Sequence, residues 1–189
     1  LSRKSGLPVR MVMDRDEVSL GEYLAFLQQR KLHPSDELQK LIWHVITIHS
    51  VEDQTLSRWP ALYVTWAEAK DFCVAKSARL PTEAEWEKAA RGSEGGLFPW
   101  GTTAPNPTVS MFGQHHVHEI PILAAVDSHE VGKSPYGLHH MAGNVAEWVE
   151  GQAPPGMGIT RGGSFATTLA AELRTWSRRE TPASARDPE

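Results

Sequence analysis

Histidines crowd one stretch of this chain: His115-His116-x-His118-Glu119, followed at a distance by His139-His140. Imidazole with carboxylate suits zinc or iron(II). On an extended strand His116 and His118 would share a face, with Glu119 opposite, so one reading is a transition-metal site at His116 and His118. Adjacent histidines in a polar loop are more commonly solvated, and that plainer reading is preferred. The single cysteine, Cys73, excludes an intrachain disulfide and a cysteine-rich zinc centre. It falls in Trp66-Ala67-Glu68-Ala69-Lys70-Asp71-Phe72-Cys73, on what reads as the apolar face of a helix, where a small buried residue is expected rather than a nucleophile. Ser164 has no evident base partner, and the glycines before it suit backbone geometry, so it is read as structural. Arg174, Arg178, Arg179 and Arg186 could face an anionic partner, but pairing with the many glutamates is the expectation.

The elements that must position these groups are legible in part. The clearest is Arg79-Leu80-Pro81-Thr82-Glu83-Ala84-Glu85-Trp86-Glu87-Lys88-Ala89-Ala90-Arg91-Gly92. Pro81 suits a first turn, and Thr82 can cap. Acidic residues crowd the N-terminal end, Lys88 and Arg91 the other, and Gly92 stops the helix. Ala84, Trp86, Ala89 and Ala90 supply its packing side. A second helix is expected over 18–29, with Ser19 as cap and Leu20, Tyr23, Leu24 and Leu27 at helical spacing, and a third over 67–75 capped by Thr65. Leu38 to Ile48 is compatible with helix or strand. Short strands are expected at 9–13, 62–65, 120–126 and 144–149, and another over 159–165 with a glycine bend. The last residues, from Pro182, read as loop. Between 93 and 160 there is no long periodic segment, yet Trp100, Phe112, Tyr136, Met141 and Trp148 indicate packing rather than disorder.

The bulk composition narrows the class. The chain has 189 residues, fitting one domain, with 40% hydrophobic and 22% charged residues, ordinary for a soluble globular protein. A net charge of −4 and no basic stripe give nucleic-acid binding no support. No run approaches the roughly 20 apolar residues of a membrane span. Seven tryptophans are many for this length and suit a core built from loops.

Six motifs occur in order: Val64-Thr65-Trp66-x-Glu68-Ala69, Arg79 to Glu87, Phe98-Pro99-Trp100-Gly101, Tyr136-Gly137-Leu138, Met141-x-Gly143-Asn144-Val145-x-Glu147-Trp148, and Arg161-Gly162-Gly163-Ser164-Phe165. Together they resemble the formylglycine-generating enzyme (sulfatase-modifying factor) family from about Asp14 to the C-terminus. The resemblance implies an α+β, C-type-lectin-like fold with two helices, a small twisted β-core and extensive irregular loops. Residues 1–189 would form a single domain of this kind. The chain starts at Leu1, and it lacks the Met-Gly strand and the Gly-Phe-Arg strand usual at the family's ends. A fragment of a longer protein is therefore expected.

The same resemblance implies which chemistry is absent. In the family's oxidases two cysteines just after Arg-Gly-Gly-Ser bind copper(I), a soft ion that needs thiolates. Those positions align with Thr167 and Glu172, and a tryptophan usual inside the Gly-Asn motif is Ala146. Copper and oxidase activity are therefore not expected, and the reading leans away from an enzyme. A structural calcium site of the family falls on His140, Gly143, Val145 and Glu147, where His140 is a poor ligand for calcium and a weakened site or none is expected. Internal hydrogen bonding by Asn144 and Glu147 is the preferred alternative. The function implied is a non-catalytic module that binds a protein or small molecule on its loop-rich face, about 102–118 and 150–180. Ser164, Phe165, Thr167, Glu172, Trp176 and Arg178 are its candidate contacts. Such modules occur in bacterial signalling proteins and in retroelement-diversified variable proteins. The alternative is an iron- or zinc-dependent enzyme or a residual oxidase. The compartment stays open, with the cytoplasm favoured.

Overall fold

The structure is a computed structural model that describes residues 12–49, 52–116 and 120–186. In chain order it contains α1 (Leu20–Arg30), α2 (Asp36–His49), α3 (Asp53–Leu56), α4 (Trp66–Ala75), α5 (Glu83–Arg91), β1 (Glu147–Val149), β2 (Met157–Arg161) and β3 (Arg178–Pro182), with 3-10 turns at Glu130–Gly132 and Ala170–Leu173. The strands form one antiparallel sheet in the order β1-β2-β3. Glu147 lies opposite Arg161, and Arg161 opposite Arg178, so this row carries charge across the sheet.

Three helices begin in the same way. Ser19 with Glu22, Thr65 with Glu68 and Thr82 with Glu85 each form a reciprocal capping box: the hydroxyl accepts from the third helical N–H, and the glutamate accepts from the cap N–H. The expected capping residues are therefore in place. Pro81 stands just outside the helix rather than in its first turn. Its carbonyl accepts from Glu150 N at 2.8 Å while Glu83 N donates to Glu150 O at 3.0 Å, which ties α5 to the end of β1. Ala84 is exposed; the packing side of α5 is Trp86, Ala89 and Ala90. The ambiguous stretch after Leu38 is helix α2.

Several expected strands do not form. Residues 62–65 are irregular because Tyr63 takes a positive φ of 57°, which breaks an extended run. The strand expected at 144–149 begins only at Glu147, since Asn144 is left-handed with φ 62°. Residues 121–126 form no ladder. The strand expected at 159–165 runs from Met157 to Arg161 and stops at Gly162 and Gly163, both at positive φ. Conversely, β3 lies largely in a segment whose exposed Arg-Arg-Glu-Thr-Pro run gave no strand signal. The strand expected at 9–13 lies mostly outside the described residues.

The core falls into three clusters. Leu20, Tyr23, Phe26 and Leu27 of α1 meet Leu38, Leu41 and Val45 of α2 and Phe72 of α4. Trp86, Ala89 and Ala90 of α5 meet Leu138, Met141, Val149 and Ile159. Phe98, Ala142 and Leu173 make the third. Trp86 is fully buried, and its indole N–H donates to Glu147 Oε2 at 2.7 Å, joining α5 to β1. Replacing Trp86 by phenylalanine removes that donor and leaves a gap. The chain should lose about 1–3 kcal/mol of stability, measured by urea unfolding; a change below about 0.5 kcal/mol would mean that the indole N–H contributes nothing.

Candidate functional site

Beyond the end of β2 the chain turns through Gly162 and Gly163, and side chains from β2, β3 and the 164–172 loop enclose a cleft of about 390 Å³. Glycine is required at Gly163: with φ +68° an added Cβ would stand 3.0 Å from both Leu173 and the Thr167 hydroxyl. Ser164 N donates to Thr167 Oγ1 at 2.9 Å, and Ala166 N to Ser164 Oγ at 3.3 Å, so both hydroxyls shape the loop. The neighbouring loop closes against it: Gly113 N reaches Thr167 O at 2.9 Å, and Gln114 N reaches Phe165 O at 2.7 Å.

Arg161 forms the floor and is only 3% exposed. Its Nη2 donates to Glu87 Oε2 at 3.0 Å and to Thr175 O at 2.9 Å, and Nη1 lies 3.5 Å from Glu83 Oε2. The guanidinium sits over the Trp86 ring, 5.1 Å from its centroid. Its buried Nε has no partner among the described residues. Arg178 donates through Nε to Glu83 Oε2 at 3.0 Å and through Nη2 to Gln152 O at 3.2 Å. The expected pairing with glutamates holds for Arg178, and also at Arg186, whose Nη1 and Nη2 reach the Glu68 carboxylate at 2.7 and 2.6 Å, whereas Arg174 stands over the Trp176 ring.

The candidate contacts separate. Ser164, Thr167, Glu172 and Arg178 line the cleft. Phe165 is fully buried behind it and cannot touch a ligand, because the backbone turn at Ser164 sends its ring into the interior. Trp176 lies off the cleft wall, 5.5 Å from the Arg91 guanidinium and 5.7 Å from that of Arg174. Sequence reasoning missed Arg161, Thr160 and Ser177 as wall residues; the Arg-Gly-Gly-Ser motif was the available signal for the first.

The residues matched to calcium also make contacts within the protein. His140 is left-handed at φ 50°, and its Nε2 lies 3.0 Å from Ala125 O and 3.3 Å from Ser128 Oγ. Burial pushes its imidazole down to about 4, so it is held neutral. Gly143 N donates to Gly162 O, and Val145 N to Glu17 Oε1 at 3.3 Å. Asn144 anchors its loop through Ala124 N to Oδ1 at 2.9 Å and Nδ2 to Glu17 Oε2 at 2.6 Å. Burial raises the Glu147 carboxyl to about 7 against the opposing effect of the Trp86 hydrogen bond, and raises Glu17 well above the usual range with help from Glu147. His139 places its two ring nitrogens against Asp16 and Glu130. His116 packs edge-on against Phe165, with centroids 5.3 Å apart. His118 lies outside the described residues, and among these no cluster of three or more His, Cys, Asp or Glu side chains could hold a metal. Cys73 is half-buried and lies away from the cleft, with burial raising its thiol.

A sequence model of the sulfatase-modifying factor enzyme 1-like domain matches residues 9–189. The chain is 36% identical over 124 residues to the inactive C-alpha-formylglycine-generating enzyme 2 of Bos taurus, covering 58% of this chain and 40% of that protein. It is 35% identical over 105 residues to the formylglycine-generating enzyme of Mus musculus, covering 49% and 27%. Hercynine oxygenase of Mycolicibacterium smegmatis is 34% identical over 105 residues, covering 53% and 24%. The chain thus spans less than half the length of these relatives. Its fold resembles PvdO from Pseudomonas aeruginosa, with a TM-score of 0.67 at 18% identity over 91% of this chain and 74% of that one. It also resembles Treponema denticola variable protein 1, with a TM-score of 0.64 at 18% identity over 91% and 79%.

A carboxyl raised on folding costs nothing while both states are protonated. It costs progressively more as pH rises from the unfolded value toward the folded one, because the unfolded chain ionises first. For Glu147 that window runs from 4.5 to about 7, and Glu17 and Asn144 are its neighbours across the loop. Glu147→Gln keeps an acceptor for Trp86 and removes the titration. Urea unfolding at pH 5 and 7.5 should show wild type losing about 2–3 kcal/mol more than the variant over this interval. Equal losses would show that the carboxyl titrates normally.

Proposed function

The chain belongs to the sulfatase-modifying factor enzyme 1-like family, and from that premise we propose that it acts as a binding module rather than as an oxidase, with the cleft at Arg161–Ser164 as its recognition site. The observation that carries this reading is the donor set at the cleft. The positions matched to the copper-binding cysteines hold Thr167 and Glu172, and both line the wall. A hydroxyl and a carboxylate are hard oxygen donors, and copper(I) is not retained by such a pair. The chain's one thiol, Cys73, stands on a different cavity. What is left is a pocket of hydroxyls, backbone and arginines already balanced by glutamates, suited to holding a polar ligand and offering no nucleophile with a base. The similarity to an inactive formylglycine-generating enzyme supports the same reading.

The ligand is a polar small molecule or a loop of another protein, entering between residues 102–116 and 150–180. The competing reading is a metal-dependent enzyme, which the similarity to hercynine oxygenase keeps in view.

A cysteine-containing peptide incubated with the full chain, oxygen and copper(I) should give no aldehyde above the protein-free control by mass spectrometry. Desalted protein should retain less than about 0.1 copper per chain. Binding should be detectable by NMR as shifts at Gly162 and Gly163 on screening a mixed peptide and metabolite library, and Thr167→Trp, which fills the cleft, should abolish them. Aldehyde formation by the unaltered chain overturns the proposal, and so does more than about 0.2 iron or zinc per untagged chain.

A further inference from the structure

A second and larger cavity, of about 590 Å³, lies on the other side of β1, between residues 12–18, α4 and the 77–81 segment. Its walls are mainly apolar, with Val18, Tyr23, Phe72, Leu80, Met141 and Trp148 among them. Five carboxylates also line it, Asp14, Asp16, Glu17, Glu85 and Glu147; Asp16 is paired with Arg15 and Glu85 with Arg79, whereas Glu17, from the approach to α1, and Glu147, from β1, are not. Each is only partly satisfied by the protein: Glu147 Oε2 accepts from the Trp86 indole at 2.7 Å, while Glu17 accepts from Asn144 Nδ2 at 2.6 Å and from Val145 N at 3.3 Å. Among the described residues neither carboxylate has a cationic side chain for a partner.

The cations lining this cavity are paired with carboxylates other than Glu17 and Glu147. Arg15 is bound to Asp16 through Nε and Nη2, and Arg79 is held bidentately by Glu85 at 2.7 Å on both nitrogens. Both arginine side chains are 63% exposed, at the rim. His139 has its ring nitrogens on Asp16 and Glu130. Two carboxylates without a cationic partner, in a largely apolar enclosure whose arginines are already paired with other carboxylates, form the complement of a particular kind of molecule.

From this geometry we propose that the cavity binds an amphipathic monocation, with its apolar body against Tyr23, Phe72 and Trp148 and a single ammonium or guanidinium head at Glu17 and Glu147. An organic head fits better than a divalent metal. Calcium requires six to eight oxygen ligands, whereas these walls are mainly hydrocarbon and each carboxylate already accepts an N–H. An ammonium needs only a few acceptors, and its body buries the surrounding apolar surface. This site meets the Arg161–Ser164 cleft only at Ala146, which lines both, and it does not depend on the function proposed for the cleft.

Cys73 supplies the test, because it is the chain's one cysteine and it lines this cavity. The rate of its alkylation by neutral iodoacetamide, followed by intact mass at about pH 8, reports occupancy. With about 10 mM 2-phenylethylammonium the rate should fall at least about fivefold, whereas the neutral 2-phenylethanol and the anionic 3-phenylpropanoate should each change it less than about twofold. The E17Q/E147Q double variant should lose the protection by the cation. If that variant does not fold, the comparison of the three probes on the unaltered chain decides by itself. The proposal fails if the cation gives no protection, if the alcohol protects as well as the cation, or if the folded double variant is protected equally. It also fails if calcium alone protects and the ammonium does not, since the carboxylates then serve a divalent ion.

Discussion

The rest of this structure depends on how the Trp86 side chain is held. The indole is fully buried, donates its N–H to Glu147 on β1, and carries the Arg161 guanidinium of β2 on its face. Glu147 and Arg161 are directly opposite in the antiparallel register, so one side chain of α5 engages both members of a cross-strand pair. Sheet and helix cannot slide relative to each other without breaking a hydrogen bond and a cation–π contact together. The backbone after Arg161 then has to pass close to the same ring: a Cβ on Gly162 would stand 3.4 Å from Trp86. That contact is an ordinary one, so the demand for glycine in the turn that shapes the cleft comes from its backbone, with φ +88° at Gly162 and +68° at Gly163.

Charge is distributed unevenly around this anchor. On the cleft side, Arg161 and Arg178 share Glu83, while Glu87 serves Arg161 and Arg91. A buried guanidinium is tolerable there because α5 places its glutamates one turn apart on the face that meets the sheet. On the other side, Glu147 and Glu17 are half-buried without a basic partner among the described residues, and desolvation shifts both toward the neutral acid. The same helix therefore separates a compensated charge network from an uncompensated one.

What could be read from the sequence was what is local. The capping boxes at Ser19, Thr65 and Thr82 need only a hydroxyl and a glutamate three residues on, and the start and stop of α5 follow from its own residues. The motif order pointed to the family and the lectin-like fold, which the match over residues 9–189 bears out. Features fixed by distant partners were hidden. Tyr63 and Asn144 adopt positive φ within runs that look extended, Asn144 because its side chain reaches Ala124 and Glu17. β3 is a strand because β2 pairs with it, not because Arg-Arg-Glu-Thr-Pro favours one. Phe165 looked like a surface residue in a binding motif and is interior, since two successive positive-φ glycines invert the alternation a strand would have given it. Glu17 carried no signal at all; its importance comes from Asn144, more than a hundred residues away.

The shape of the cleft owes little to the side chains at positions 167 and 172. Main-chain bonds from Gly113 and Gln114 hold the loop at Thr167 O and Phe165 O, Phe165 N is held by Asn144 O, and Gly143 N by Gly162 O. These use backbone atoms, which a change of side chain does not remove. At one of the two positions the residue present adds a bond of its own, since Thr167 Oγ1 accepts the Ser164 N–H; a thiol would accept it only weakly. The other, Glu172, sits exposed on a 3-10 turn whose buried residue is Leu173, so the turn is anchored whatever stands before it. The forces that shape this pocket therefore reside mainly on backbone atoms and on Leu173, and the side chains that face into it are largely free of that task.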